Sequence, residues 1–234
     1  MRWLTLLLLF LSRAAAEPLV NTFSIVAYDP KTGDLGVAVQ SKYFGVGSVV
    51  PWAKAGVGAV ATQALAKVGY GPEGLGLMEN GGEATAALES LRTKDSKQAL
   101  RQVAMIDAKG RVAVHTGDEC IPWAGHKTGE YFSVQGNLLA GEEVVAAMAA
   151  AFEKARASGE GELAEWMMAA LQAGQSAGGD RRGQQSAALQ VVRAHAGPGG
   201  DNDRYIDLRV EDHAAPIEEL ARLLRMHREF YKRK

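Results

Sequence analysis

The stretch TFSIVAYDPKTGDLGVAVQSK, Thr22 to Lys42, reads as two strands joined by a turn. Thr22 to Ala27 is rich in β-formers. Asp29-Pro30-Lys31-Thr32-Gly33-Asp34 concentrates turn residues. Leu35 to Gln40 then resumes strand character, so the segment predicts a β-hairpin. Thr22 and the Ser41-Lys42 pair fall at the same end of it.

The pattern continues outward. Val46 to Trp52 and Gly56 to Thr62 read as further strands, the second crowded with small residues that let a neighbour pack closely. Pro72 to Met78 and Glu83 to Arg92 read as helices, separated by Asn80-Gly81-Gly82. Asp95 is placed to cap a further short helix. Val103 to Asp107, Arg111 to Thr116 and Tyr131 to Val134 predict strands, the first two joined by a turn at Ala108-Lys109-Gly110. Val144, Val145, Met148 and Phe152 share one helical face, as do Leu163, Trp166, Met167, Ala170 and Leu171. Ser158-Gly159-Glu160-Gly161 separates these helices. Ala187 to Ala194 and Tyr205 to Val210 return to strand. Ile217, Leu220, Leu223, Leu224 and His227 mark a closing amphipathic helix. Segregated blocks of strands and helices predict a layered α+β fold, and no linker divides residues 17–234, which read as one domain.

The chain has 234 residues, 26 Lys and Arg against 27 Asp and Glu, and 7% aromatics. Near-neutral charge and few aromatics argue against a nucleic-acid partner. Arg2 followed by the apolar run Trp3 to Leu11 and by Ala14-Ala15-Ala16 reads as a signal peptide over residues 1–16. That run is shorter than the roughly 20 apolar residues a spanning helix needs. The expectation is an exported protein, periplasmic or secreted, with no membrane span once the signal is removed. Cys120 is the single cysteine, which excludes an internal disulfide and reads as a small buried hydrophobe.

Several motifs lose weight on context. Gly174-Gln175-Ser176-Ala177-Gly178 matches G-x-S-x-G, but a nucleophile elbow needs a strand before its serine and here a helix precedes it. Gly56-x-Gly58-x-x-Ala61 lacks the following helix of a dinucleotide site. Asp201-Asn202-Asp203 opens like a calcium loop, but Ile206 and Asp212 stand where Gly and Glu belong. The histidines His115, His126, His195, His213 and His227 have no metal-ligand spacing. No cofactor or metal is expected.

The remaining constellation is Thr22 with Ser41 and Lys42. A lysine near a threonine hydroxyl favours the alkoxide-like form, and an N-terminal threonine can use its own α-amine as general base. A threonine that opens a strand and a lysine that ends one are also ordinary solvated strand ends.

Thr22 to Lys42 resembles the start of the bacterial family called domain of unknown function 1028. The resemblance continues through Val50-Pro51-Trp52-Ala53, Gly56 to Gln63, Gln135-Gly136-Asn137, Ala177 to Ala188 and Asp207 to His213, as far as about Leu224. That family is grouped with the N-terminal-nucleophile (Ntn) hydrolases. The resemblance implies a four-layer αββα sandwich of two antiparallel sheets between helix layers. It implies hydrolysis of an amide-type C–N bond in a polar small-molecule substrate, with Thr22 attacking the carbonyl to form an acyl-enzyme. Ser41 and Lys42 would be its polar and basic partners, and backbone N–H groups with Asn137 would hold the oxyanion. Gln63, Asp180, Arg181 and Arg209 are candidates for substrate binding or for structural charge networks. One departure matters. Family members commonly begin Met-Thr, whereas here Glu17-Pro18-Leu19-Val20-Asn21 precedes Thr22 and makes its nitrogen an amide. Either the Asn21–Thr22 bond is cut, or the chain is a catalytically inactive binding or assembly protein. A hydrolase using Ser176 is a third, minor reading. Small-residue strands and the closing helix fit an interface in a homo-oligomer or burial within one chain equally well.

Overall fold

A computed structural model describes residues 17–231; the expected signal peptide, 1–16, lies outside the described residues, as do 232–234. A short β1 (Leu19–Val20) precedes the hairpin of β2 (Thr22–Tyr28) and β3 (Leu35–Ser41). Next come β4 (Pro51–Lys54), β5 (Gly58–Leu65), α1 (Tyr70–Glu79), α2 (Ala84–Arg92), β6 (Arg101–Asp107) and β7 (Val112–Thr116). The chain continues through β8 (Gly125–Gly129), β9 (Phe132–Gly136), α3 (Glu143–Ser158) and α4 (Leu163–Ser176). It ends with β10 (Ser186–Val192), β11 (Arg204–Val210) and α5 (Pro216–Phe230).

The strands form two antiparallel sheets. One runs β5-β6-β7, with β1 and β4 sharing the outer edge of β5. The other runs β11-β10-β3-β2-β9-β8. Alternation along β2 explains the layering. Phe23, Ile25 and Ala27 point to a core shared with α3, α4 and α5. Val26 points the other way, into a core between the sheets with Val37, Val39, Ala59, Ala61 and Ile106. A third core joins Val60, Val103 and Met105 to α1 and α2. The architecture is therefore an αββα sandwich.

Local chemistry fixes the parts. The hairpin turn closes on Asp29, whose carboxylate accepts from Lys31 N at 2.9 Å and Thr32 Oγ1 at 3.0 Å. Gly36 has no side chain where α4 comes down on β3: a Cβ there would sit 2.4 Å from Met167 Cε. α4 opens with a reciprocal capping box between Glu162 and Glu165. Arg228 of α5 donates to both carboxylates and so ties the two helices.

The expected strand over Val46 to Trp52 divides in two. Val46–Ser48 is a 3-10 turn entered from Gly45 at φ 62°, and only Pro51 onward pairs, with β5. Val46, Val49 and Val50 are buried between the sheets as the chain crosses from one to the other. Burial there satisfies a β-branched run without a ladder. Asp95 starts no α-helix; its backbone and carboxylate set up a turn into the 3-10 segment Gln98–Leu100. β1 and β8 are strands the sequence pattern does not announce.

Candidate functional site

Thr22 stands directly opposite Ser41 in the β2–β3 register, so both side chains face the interior between the sheets. Thr22 is 0% exposed, and its hydroxyl donates to Val20 O at 3.0 Å. The carbonyl before it is held from two sides. Ser41 Oγ donates to Asn21 O at 2.6 Å, and Arg182 Nη2 donates to the same oxygen at 2.7 Å. A hydroxyl and a guanidinium thus converge on the carbonyl of the Asn21–Thr22 peptide bond.

Asp180 aims that guanidinium. Its buried carboxylate accepts from Arg182 Nη2 at 2.7 Å, Arg182 Nε at 3.1 Å, Arg182 N at 2.9 Å and Lys42 N at 3.3 Å. Gly178, Gly179 and Gly183 take positive φ around it, which lets the loop fold tightly enough to bring the guanidinium of Arg182, a side chain still 32% exposed, onto Asn21 O. The loop is locked to the β9 exit by a bridge between Leu139 and Asp180 and by Arg181 N donating to Leu138 O at 3.1 Å. Leu138 itself takes φ 55°, a left-handed conformation that costs a non-glycine residue about 1–3 kcal/mol.

Beside Thr22 lies a buried polar network. Thr22 O accepts from Asn137 N at 3.0 Å and Gln63 Nε2 at 3.4 Å. Gln63 Oε1 accepts from Ser24 Oγ at 2.6 Å, and Ser24 Oγ accepts from Gln135 Nε2 at 2.7 Å. Gln102 is the hub. Its Oε1 accepts from Gln63 Nε2 at 2.8 Å and Asn137 Nδ2 at 2.9 Å. Its Nε2 donates to Gly136 O at 2.8 Å, Thr116 Oγ1 at 3.0 Å and Gly125 O at 3.1 Å. Asn21 Oδ1 and Asn137 Oδ1 are buried without a hydrogen-bond partner among the described residues.

The candidates distribute as follows. Thr22, Ser41, Gln63, Asn137 and Asp180 come together around the Asn21–Thr22 bond. Asn137 meets Thr22 O through its main chain, while the Asn21 oxygen is held by side chains. Lys42 points to the surface, its ammonium on Gln184 O at 3.1 Å. Arg181 is also outside, donating to Pro122 O at 2.7 Å. Arg209 lies on β11, three strands from β2 and so roughly 14 Å away, paired with Asp207. Ser176 ends α4 with its hydroxyl on Gln172 O, and a helix precedes it. Cys120 is buried, and desolvation pushes its thiol up to about 11. Among the described residues no group of three or more His, Cys, Asp or Glu could hold a metal, and no helix is long and apolar enough to cross a membrane.

The sequence reading passed over Arg182, Ser24, Gln102 and Gln135. A signal existed for Ser24 and Gln135, which alternate with apolar neighbours on β2 and β9; Gln102 stands beside Arg101 and carries no such signal. A cavity of 720 Å³ lies at the opposite end of the sheet, between the Gly197–Gly199 loop, β11 and α5.

Residues 22–220 match the model of a family of unknown function, DUF1028. The match opens at Thr22. A crystal structure of a Silicibacter pomeroyi protein of the same family superposes with a TM-score of 0.78 at 30% identity, covering 89% of each chain. No curated protein matches.

Proposed function

The chain belongs to the DUF1028 family of unknown function, and from that premise we propose that it is an exported Ntn-type hydrolase that cleaves an amide C–N bond with Thr22. The observation that carries this reading is the double hold on Asn21 O by Ser41 Oγ and Arg182 Nη2. Donors converging on a carbonyl stabilise the oxyanion that forms when it is attacked.

The first reaction is on the chain itself. Thr22 Oγ leaves Val20 O and attacks the Asn21 carbonyl carbon. The carbonyl electrons move onto oxygen, where Ser41 and Arg182 hold them. The hydroxyl proton passes to the departing Thr22 nitrogen, the C–N bond breaks, and an ester joins Asn21 to Thr22 Oγ. Water hydrolyses the ester and returns the hydroxyl. Thr22 then carries a free α-amine, the base that later takes the hydroxyl proton when a substrate amide is attacked. Arg182 supplies the charge at this oxygen, where backbone N–H groups and Asn137 were expected, whereas Lys42, expected beside the Thr22 hydroxyl, lies at the surface.

N-terminal sequencing with intact mass tests this. The expected start is Thr22 in the parent and a retained Glu17–Asn21 segment in Thr22→Ala, with amide turnover only in the parent. A parent that keeps Asn21 and still turns over amides equally well as Thr22→Ala would refute it. The second reading is a noncatalytic binding protein. The sealed Thr22, acylated by Asn21 and 0% exposed, favours it; a stable uncleaved parent with saturable ligand binding is its signature.

A further inference from the structure

The residues ahead of Thr22 lie in a groove built to hold them. β1 pairs with the edge of β5, Leu19 opposite Leu65 and Val20 opposite Ala64, and Ala66 N donates to Pro18 O at 2.9 Å. β4 covers a different part of that edge, from Gly58 to Ala61. Val20 is 0% exposed in the core between the sheets, whereas Leu19 is half-exposed. Ala64, opposite Val20, takes φ 66°, so the β5 backbone is strained just where the segment docks.

At the far end Glu17 meets two cations. Its Oε1 accepts from Arg101 Nη2 at 2.8 Å and its Oε2 from Lys97 Nζ at 3.0 Å. Arg101 is a fully buried arginine, held also by Asp95 Oδ2 at 2.9 Å and by Leu65 O at 2.5 Å. One Asp95 carboxylate does not balance Arg101 and Lys97 together, so the end of the groove is cationic without Glu17. At the near end Asn21 O rests between Ser41 and Arg182.

We propose that this groove is the enzyme's acyl-side binding site, and that it takes an extended peptide segment bearing a carboxylate at the Glu17 position and a buried aliphatic side chain at the Val20 position. This rests on the reading of Thr22 as nucleophile, and it names the substrate class: acidic peptides bound by strand addition to β5. The segment Glu17–Asn21 is then the first substrate, held in cis. Main-chain pairing supplies general affinity in such sites, and alternate side-chain pockets supply choice. Here the pockets are the Arg101–Lys97 pair and the inter-sheet core.

The test separates binding from turnover. The full chain carries Thr22→Ala, which removes hydrolysis, together with Glu17→Lys and Val20→Asp, which repel the segment from the cations and from the core. A labelled peptide amide of sequence Glu-Pro-Leu-Val-Asn is titrated and followed by anisotropy. Saturable binding is expected, about tenfold or more weaker when the peptide begins with lysine. Adding Lys97→Glu narrows that preference. No saturable binding, or equal binding of both peptides, overturns the proposal. Should this variant not fold, the Thr22→Ala, Glu17→Lys chain carries the test by hydrogen exchange. The Ala66 amide should lose protection and regain it on adding peptide; no loss, or no recovery, overturns the proposal. Peptide binding without Thr22-dependent turnover would sink the nucleophile reading and leave the groove standing, and turnover indifferent to the acidic residue would do the reverse.

Discussion

Replacing Gln102 by leucine removes the hub of the buried network while nearly keeping side-chain volume. Gln102 is 0% exposed. Its loss takes the acceptor from Asn137 Nδ2 and the donor from Gly136 O, and leaves Gln63 Nε2 with Thr22 O at 3.4 Å. A buried polar group left unpaired costs about 1–3 kcal/mol, so two orphans and one weakened donor sum to about 3–6 kcal/mol. The extra apolar surface of leucine returns about 1 kcal/mol. A net loss of about 2–5 kcal/mol lowers the melting temperature by roughly 5–15 °C in a domain of this size. The assay is urea unfolding followed by tryptophan fluorescence, with the slope against urea checked for constancy. Gln185→Leu is the control: its amide donates to Asp212 at the surface, and the change should stay within about 0.5 kcal/mol. A loss below about 1 kcal/mol in Gln102→Leu, with the slope unchanged, refutes the account of the network.

Other outcomes can be checked alongside. Hydrogen bonds from Arg101 and then Lys97 lower the Glu17 carboxyl below its ordinary 4.5; its contribution to docking the segment is therefore full above that pH and lost as pH falls through the lowered value. The protection of the Ala66 amide relative to intrinsic exchange at the same pH should fall across that acid window, and Glu17→Gln should flatten the response. Burial raises the Cys120 thiol to about 11, so about one molecule in a thousand is thiolate at pH 8, and Ellman's reagent should label it only as the protein unfolds. A Cβ on Gly117 would lie 2.2 Å from the backbone oxygen of Ala99, so Gly117→Ala should destabilise by about 3 kcal/mol in the same urea assay. Arg182→Lys should slow release of the Glu17–Asn21 segment by about tenfold or more, read by intact mass against time, because an ammonium cannot keep the two-pronged grip on Asp180 while reaching Asn21 O.

The hairpin was legible because two runs of strand character flank a turn dense in Asp, Pro, Thr and Gly. Thr22 and Ser41 followed from it, since register alone sets them opposite each other. The polar network was legible only in part: Gln63 stood among the candidates and Ser24 and Gln135 alternate with apolar neighbours, but their burial did not show. Ser24, Gln63, Gln102 and Gln135 occupy positions that in a single exposed sheet would face water. Only stacking of the second sheet turns that face inward, and nothing within one strand records it. Arg182 escaped for a different reason. Arg181 and Arg182 are neighbours of identical chemistry, and the positive-φ glycines around them decide which one turns toward Asn21. Lys42 shows the opposite error: one residue past Ser41, strand alternation sends it to the other side.

The strand order of the larger sheet also dictates a timetable. Its central hairpin, β2–β3, is made first, yet the strands that flank it, β9 and β10, lie about 110 and 150 residues further along the chain. Contacts of such separation close slowly. A ribosome that has finished the hairpin has therefore made a two-edged apolar ribbon with nothing to cover it, and the sheet cannot close until Val192 has emerged. The open edges of that hairpin are templates for pairing with another chain until β9 and β10 arrive, so a synthesis paused between residues 41 and 132 exposes them longest.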